Sequence, residues 1–250
     1  MAEAERVHQA LRTAFERMCG LFDDARFERR EGYDFIAFPP IPIAQFNGVW
    51  PLDDRSAPAL SAALAELDEL GLPSSVQVRR GRTPAFEAEA RRLGFGNELE
   101  LPGMAARSGD LPSAEASGLA VSRVSGGRDL DDALETAAAG FGAPASAMAP
   151  LYTPDVLALD GFSLYLGRAD GAPVSTSVGV DVDDTVGIFN VATPAEHRGR
   201  GYGAALTAMA AREGFGNGAG LAWLQSSAMG HSVYERLGFH DLETYVLLTR

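Results

Sequence analysis

The sequence predicts an α/β fold, a mixed sheet with helices packed on its faces, arranged as two tandem domains. Three observations carry that expectation. Beyond residue 118, stretches of period-two apolar alternation take turns with stretches of helical periodicity. Residues 101–125 are rich in Pro, Gly, Ser and Ala and read as a linker, which divides the chain into 1–110 and 111–250. Two short segments also recur. Phe46-Asn47-Gly48-Val49 echoes Phe189-Asn190-Val191, and Arg92-Leu93-Gly94-Phe95 echoes Arg236-Leu237-Gly238-Phe239. The spacing is about 47 positions from Asn47 to Gly94 and about 48 from Asn190 to Gly238. Helix ends of this Arg-Leu-Gly-Phe type are common, so coincidence stands beside duplication as an explanation.

The elements of the C-terminal half follow in order. Residues 119–124 form a short strand. Residues 129–140 form a helix whose acidic first turn suits the helix dipole. Residues 161–168 and 173–180 pair as a hairpin about Ala169-Asp170-Gly171, and 186–193 is an apolar strand after a second turn at 181–184. A helix over 203–213, a short buried strand at 221–225, a helix over 232–237 stopping at Gly238, and a strand at 245–248 complete the series.

The charge balance narrows the function classes. The formal net charge is -13, and all 21 basic residues are arginine. Nucleic-acid binding and attachment to anionic membranes are both disfavoured, because each draws its affinity from neutralising phosphates. An amine-bearing substrate is compatible with the acidic field, although the charge also serves plain solubility. No run of about 18 apolar residues is present, and the charged N-terminal stretch has no secretory pattern. A cytoplasmic protein, monomeric or homodimeric, is the expectation. The single cysteine, Cys19, reads as a packed core thiol.

One segment carries the chemistry. At Val191-Ala192-Thr193-Pro194 a strand ends, and Arg198-Gly199-Arg200-Gly201-Tyr202-Gly203 opens a helix. The first turn of a helix leaves N–H groups unpaired and carries partial positive charge. Glycines let an anion approach that backbone, and arginines add charge, so the loop suits a phosphate or pyrophosphate. By spacing alone it also suits a tight strand–helix turn. The order of glycines is not that of a dinucleotide-binding strand–helix turn, and no Gly-Lys-Ser/Thr follows.

The stretch from Arg198 to Gly203 resembles the Arg/Gln-x-x-Gly-x-Gly/Ala loop of the GNAT acyltransferase superfamily. Residues 226–239 resemble the segment of that family ending in Tyr-x-x-Leu-Gly-Phe, here Tyr234 to Phe239. The resemblance covers roughly the last third of the chain. The N-terminal half resembles a degenerate second copy that lacks the glycine loop, since Pro51-Leu52-Asp53-Asp54-Arg55-Ser56-Ala57-Pro58 stands there instead.

The resemblance implies acetyl-CoA, or another short acyl-CoA, as donor and no metal. It implies that Val191, Ala192 and Thr193 pair with the pantetheine arm. Arg198, Gly199, Arg200, Gly201, Tyr202 and Gly203 then hold the pyrophosphate. Ser227 takes the place of an Asn that contacts pantetheine in the family. Tyr234 becomes the general acid for the departing sulfur, with helix packing as its other reading. Glu196, His197 and His231 lie near the motifs, and none is assigned as a base; Asn190 cannot serve as one. Residues 141–159 are expected to roof the acceptor pocket with an apolar wall. The implied reaction is direct transfer to an amine of a small molecule or peptide. A non-catalytic CoA-binding sensor, or O-acylation on the same frame, remains as an alternative.

Overall fold

The computed structural model describes residues 2–250; Met1 lies outside them. The chain runs α1 (Glu3–Cys19), β1 (Arg26–Arg30), β2 (Tyr33–Ala37), β3 (Gly48–Pro51), α2 (Leu60–Glu69), β4 (Ser75–Arg79), α3 (Pro84–Arg92) and β5 (Asn97–Ala106). It continues through β6 (Leu119–Arg123), α4 (Arg128–Phe141), α5 (Ala145–Met148), α6 (Pro154–Leu157), β7 (Phe162–Ala169), β8 (Ala172–Val182) and β9 (Thr185–Ala192). It closes with α7 (Tyr202–Gly216), β10 (Leu221–Gln225), α8 (His231–Arg236) and β11 (His240–Thr249). Every element expected beyond residue 118 is present. The hairpin between β7 and β8 turns on Asp170 and Gly171, at φ of 50° and 81°. Positive φ at both central residues matches the right-handed twist of the flanking strands.

The residues fall into two compact units. One gathers Met104–Asp241 with the N-terminal segment up to Ala14; the other gathers Phe15–Gly103 with Leu242–Arg250. In the first, the strands follow the order β10, β9, β8, β7, β6. Its core sets Leu206, Ala208, Ala210 and Ala211 of α7 against Val186 and Ile188 of β9 and Ala222 and Leu224 of β10. Gly214 explains how closely α7 lies on β9, because a Cβ there would stand 2.4 Å from the Val186 side chain. In the second unit the order is β1, β2, β3, β4, β11, β5. Leu60, Leu64 and Leu67 of α2 and Phe86 and Ala90 of α3 cover Phe35, Val49, Val76 and Val78.

The recurring sequence segments occupy matching positions. β3–α2–β4 and β9–α7–β10 are both strand–helix–strand units with parallel pairing. α3 ends at Gly94 (φ 91°) with Phe95 N donating to Ala90 O; α8 ends at Gly238 (φ 87°) with Phe239 N donating to Tyr234 O. Both endings are left-handed helix caps. The pairing differs in register. β3 pairs with β4 directly after Asn47, at Gly48↔Ser75 and Val49↔Val76. β9 pairs with β10 before Asn190, at Thr185, Val186 and Gly187.

Candidate active site

The site begins where that second ladder stops. β9 and β10 pair through Leu221↔Thr185, Ala222↔Val186 and Trp223↔Gly187, although β9 runs on to Ala192 and β10 to Gln225. On its other side β9 changes register with β8, from Val178↔Phe189 to Thr176↔Ala192, a bulge that spans Asn190 and Val191. A bulge bends its strand and increases the local twist. Asn190 sits in the left-handed region at φ 48°, which Asn tolerates better than most residues. The outer end of β9 is held from behind. Ser175 Oγ donates to Ala192 O at 2.9 Å and lies 2.8 Å from Thr193 Oγ1. Ala192 is buried, and Val191 and Thr193 are half-buried.

The glycine loop follows. The Arg198 guanidinium donates from Nε to Thr193 O (3.0 Å) and from Nη2 to Gly140 O (2.9 Å). It thereby clasps the end of β9 to the end of α4. Gly140 is needed for that approach, because a Cβ would stand 2.8 Å from Ala192 Cβ and 2.9 Å from Thr193 N. Gly199 and Gly201 are exposed at φ of 75° and 81°, and Gly201 caps α7. The first helical bond there runs from Ala205 N to Gly201 O. The N–H groups of Tyr202, Gly203 and Ala204 therefore precede it and stand at the positive end of the helix dipole. The Tyr202 side chain is buried, Gly203 is half-buried, and Arg200 is exposed without a hydrogen bond or ion pair among the described residues.

On the far side, β10 leads through a turn into α8. Ser227 builds that turn: its carbonyl accepts from Gly230 N and His231 N, and its Oγ accepts from Gly230 N at 3.2 Å. The hydroxyl contributes to the backbone turn, while the residue itself is exposed. Tyr234 packs its ring 6.1 Å from Phe239. Burial pushes its phenol up to about 12, offset in part by the Thr207 hydroxyl of α7, which it faces. The phenol is therefore fully protonated at neutral pH.

Thr207 is fully buried, and its hydroxyl meets no partner at hydrogen-bond geometry among the described residues. Sequence reasoning did not single it out, because it sits in an Ala-rich helix with no distinguishing pattern. His231 is bonded to Asp241 at 2.9 Å, an interaction that raises its pKa. Glu196 is exposed and His197 half-buried. Cys19 is buried, and desolvation pushes its thiol up to about 12. No cluster of three or more His, Cys, Asp or Glu residues is placed to hold a metal among the described residues. No described helix is long and apolar enough to cross a membrane.

Residues 133–239 match the acetyltransferase (GNAT) family. No curated protein sequence matches the chain. Among solved structures, a GCN5-related N-acetyltransferase from Kribbella flavida is 21% identical, with a TM-score of 0.72 over 96% of this chain and 95% of that one. A GCN5-related N-acetyltransferase from Sphaerobacter thermophilus is 17% identical, with a TM-score of 0.62 over 90% of this chain and 75% of that one. A tandem GNAT protein from the clavulanic acid biosynthesis pathway is 13% identical, with a TM-score of 0.57 over 87% of this chain and 78% of that one. The chain thus has the mixed α/β GNAT fold, and the family match over its C-terminal half supports the resemblance carried by its two motifs.

Proposed function

We propose that this protein transfers an acetyl or other short acyl group from acyl-CoA to an amine of a small molecule or peptide. The observation that carries the reading is the parting of β9 from β10 beyond Gly187, with the glycine-headed α7 following β9 and α8, which carries Tyr234, following β10. Unpaired strand backbone must find partners. The stretch Val191, Ala192 and Thr193 lies past the β10 ladder and lines the amide-bearing pantetheine arm, which takes the place of a strand; the Ala192 and Thr193 carbonyls are held in place by Ser175 and Arg198. The N–H groups of residues 202–204 and the exposed Arg200 suit the pyrophosphate. Arg198 acts at one remove, by holding Thr193 and Gly140 in place.

The donor, when bound, supplies an activated thioester. The acceptor nitrogen forms the new bond to the acyl carbon as the carbon–sulfur bond breaks; one proton leaves nitrogen and one reaches sulfur. Tyr234 gives the second of these, since its desolvated phenol stays protonated until the thiolate forms. The proton that leaves nitrogen passes to solvent, and the Tyr234 phenolate, a stronger base than the thiolate, is reprotonated from solvent, so that amine and thioester give amide and free thiol.

The unit of Phe15–Gly103 and Leu242–Arg250 is, on this reading, a degenerate copy without a donor site. Its β3–β4 ladder is paired where the β9–β10 ladder is open, and a Cβ on Gly48 would stand 2.2 Å from Ser75 O. Ala90 holds the helical position that Tyr234 holds in the other copy. Calorimetric titration with acetyl-CoA tests both halves of the proposal. One site per chain, followed by thiol release with an amine, is the expected result. Two sites would overturn the degenerate copy, and no binding by the folded protein would overturn the acyltransferase reading. Binding without turnover across a broad amine panel would leave a CoA-binding module.

A further inference from the structure

Tyr152 is 6% exposed, and its hydroxyl is buried without a hydrogen bond at proper geometry among the described residues. A buried tyrosine hydroxyl ordinarily finds a partner, and an orphan one marks a place where something else completes it. Its neighbours are the side chains of Thr176 and Asn190. Thr176 Oγ1 is already directed to Asn190 O at 3.3 Å, and no hydrogen bond ties the Asn190 amide at proper geometry among the described residues. These three groups come from three elements: the segment between α5 and α6, β8, and the bulge of β9. They meet at the residue where β9 leaves its register with β8, three positions past the end of its pairing with β10.

We propose that Tyr152, Asn190 and Thr176 form a polar subsite that holds the nucleophilic nitrogen of a primary-amine acceptor at the acyl end of the slot. The proposal rests on the acyltransferase reading. The phenol oxygen and the Asn190 Oδ1 accept hydrogen bonds from the amine N–H groups, which leaves the nitrogen lone pair free for the acyl carbon. Neither group is a base. Burial raises the Tyr152 phenol above its ordinary range, so it stays neutral and holds the amine without taking its proton. The left-handed Asn190 backbone, at φ 48°, brings the amide to this point. Asn accepts that conformation at a modest cost, which the subsite's role would explain.

The test uses the full chain labelled with 3-fluorotyrosine, its Tyr152 fluorine signal assigned by loss in Tyr152→Phe. The protein is first saturated with S-(2-oxopropyl)-CoA, a non-transferring thioether analogue, with binding followed by calorimetry. It is then titrated with primary amines graded in size from ethanolamine to tyramine and spermidine. The Tyr152 signal is expected to move with an amine and not with the analogue alone. Asn190→Gly tolerates the left-handed backbone; it is expected to melt no lower than the parent, to bind the analogue normally, and to weaken the amine about tenfold, the loss of one hydrogen bond. Thiol release with that amine and acetyl-CoA should show the same rise in the amine KM in Tyr152→Phe, with the donor KM unchanged. Analogue binding with no amine-dependent shift overturns the subsite alone. A shift produced by the analogue alone reassigns Tyr152 to the donor and also overturns it. Failure of the analogue to bind overturns the acyltransferase reading and the subsite with it.

Discussion

Gly201 and Gly203 stand two residues apart in the loop, and replacing each by alanine should have opposite effects. At Gly201 a Cβ would meet only Ala116 Cβ, at 3.8 Å, so there is no clash. The strain is torsional, because φ is 81°. An L-residue held there costs about 1–2 kcal/mol. Reduced freedom of the unfolded chain returns about 0.4–1 kcal/mol of that. Gly201→Ala should therefore lose about 1 kcal/mol, or about 2–4 °C in Tm for a chain of this size.

At Gly203 the nearest atoms are Thr193 Oγ1 and Val191 Cγ1, both at 3.5 Å, which is ordinary contact, and the backbone is helical. Gly203→Ala should gain about 0.5 kcal/mol from helix propensity. Binding should separate the two in the same sense. On the proposed reading, relaxation of the strained cap should turn the N–H groups of residues 202–204 away from the donor and weaken acetyl-CoA about tenfold, or about 1.4 kcal/mol. Gly203→Ala keeps its affinity within about twofold, the scatter expected for changes of a few tenths of a kcal/mol. Thermal melting and calorimetry read both. Equal stability of the two variants, or unchanged donor affinity in Gly201→Ala, would refute the assignment of the cap as the anion site.

Tyr234→Phe should lower kcat about a hundredfold while the donor Kd stays put, since acid catalysis is worth about 10²–10⁴; in the parent, with the phenol pushed up to about 12, the kcat profile should show no loss from this group up to about pH 10. Gly140→Val places a side chain where a Cβ already stands 2.8 Å from Ala192 Cβ; overpacking of this kind costs about 1–3 kcal/mol, and donor affinity should fall with it, as melting and calorimetry together will read. Asp241→Asn removes the partner that raises His231. A raised folded pKa stabilises below the unfolded value and loses that contribution as pH rises through the folded one. The variant should therefore melt lower than the parent at about pH 5.5 and match it at about pH 8.5; an equal deficit at both pH values would show that the pair acts by packing instead.

Much of the fold was legible in the sequence because its elements are locally determined. β10 is a run of Leu221-Ala222-Trp223-Leu224 between Gly220 and a polar turn, and Gly238 with φ 87° stops α8 where the Arg-Leu-Gly-Phe pattern indicates. The glycine loop announces itself for the same reason: strand, proline, glycines and helix are contiguous, and left-handed dihedrals at Gly199 and Gly201 require that residue type. Tertiary contacts decided the rest. Arg198 reads as a charge for a phosphate, yet two of its donors go to the carbonyls of Thr193 and Gly140, the latter distant in sequence. Tyr152 lies in an aperiodic stretch, and only folding brings it against Thr176 and Asn190. Likewise Leu242–Arg250 clusters with Phe15–Gly103, although the sequence places it at the far end of the chain. Backbone propensity acts over a few residues and can be read in order; hydrogen-bond partners and strand neighbours are chosen across the whole chain, so they exist only once it has folded.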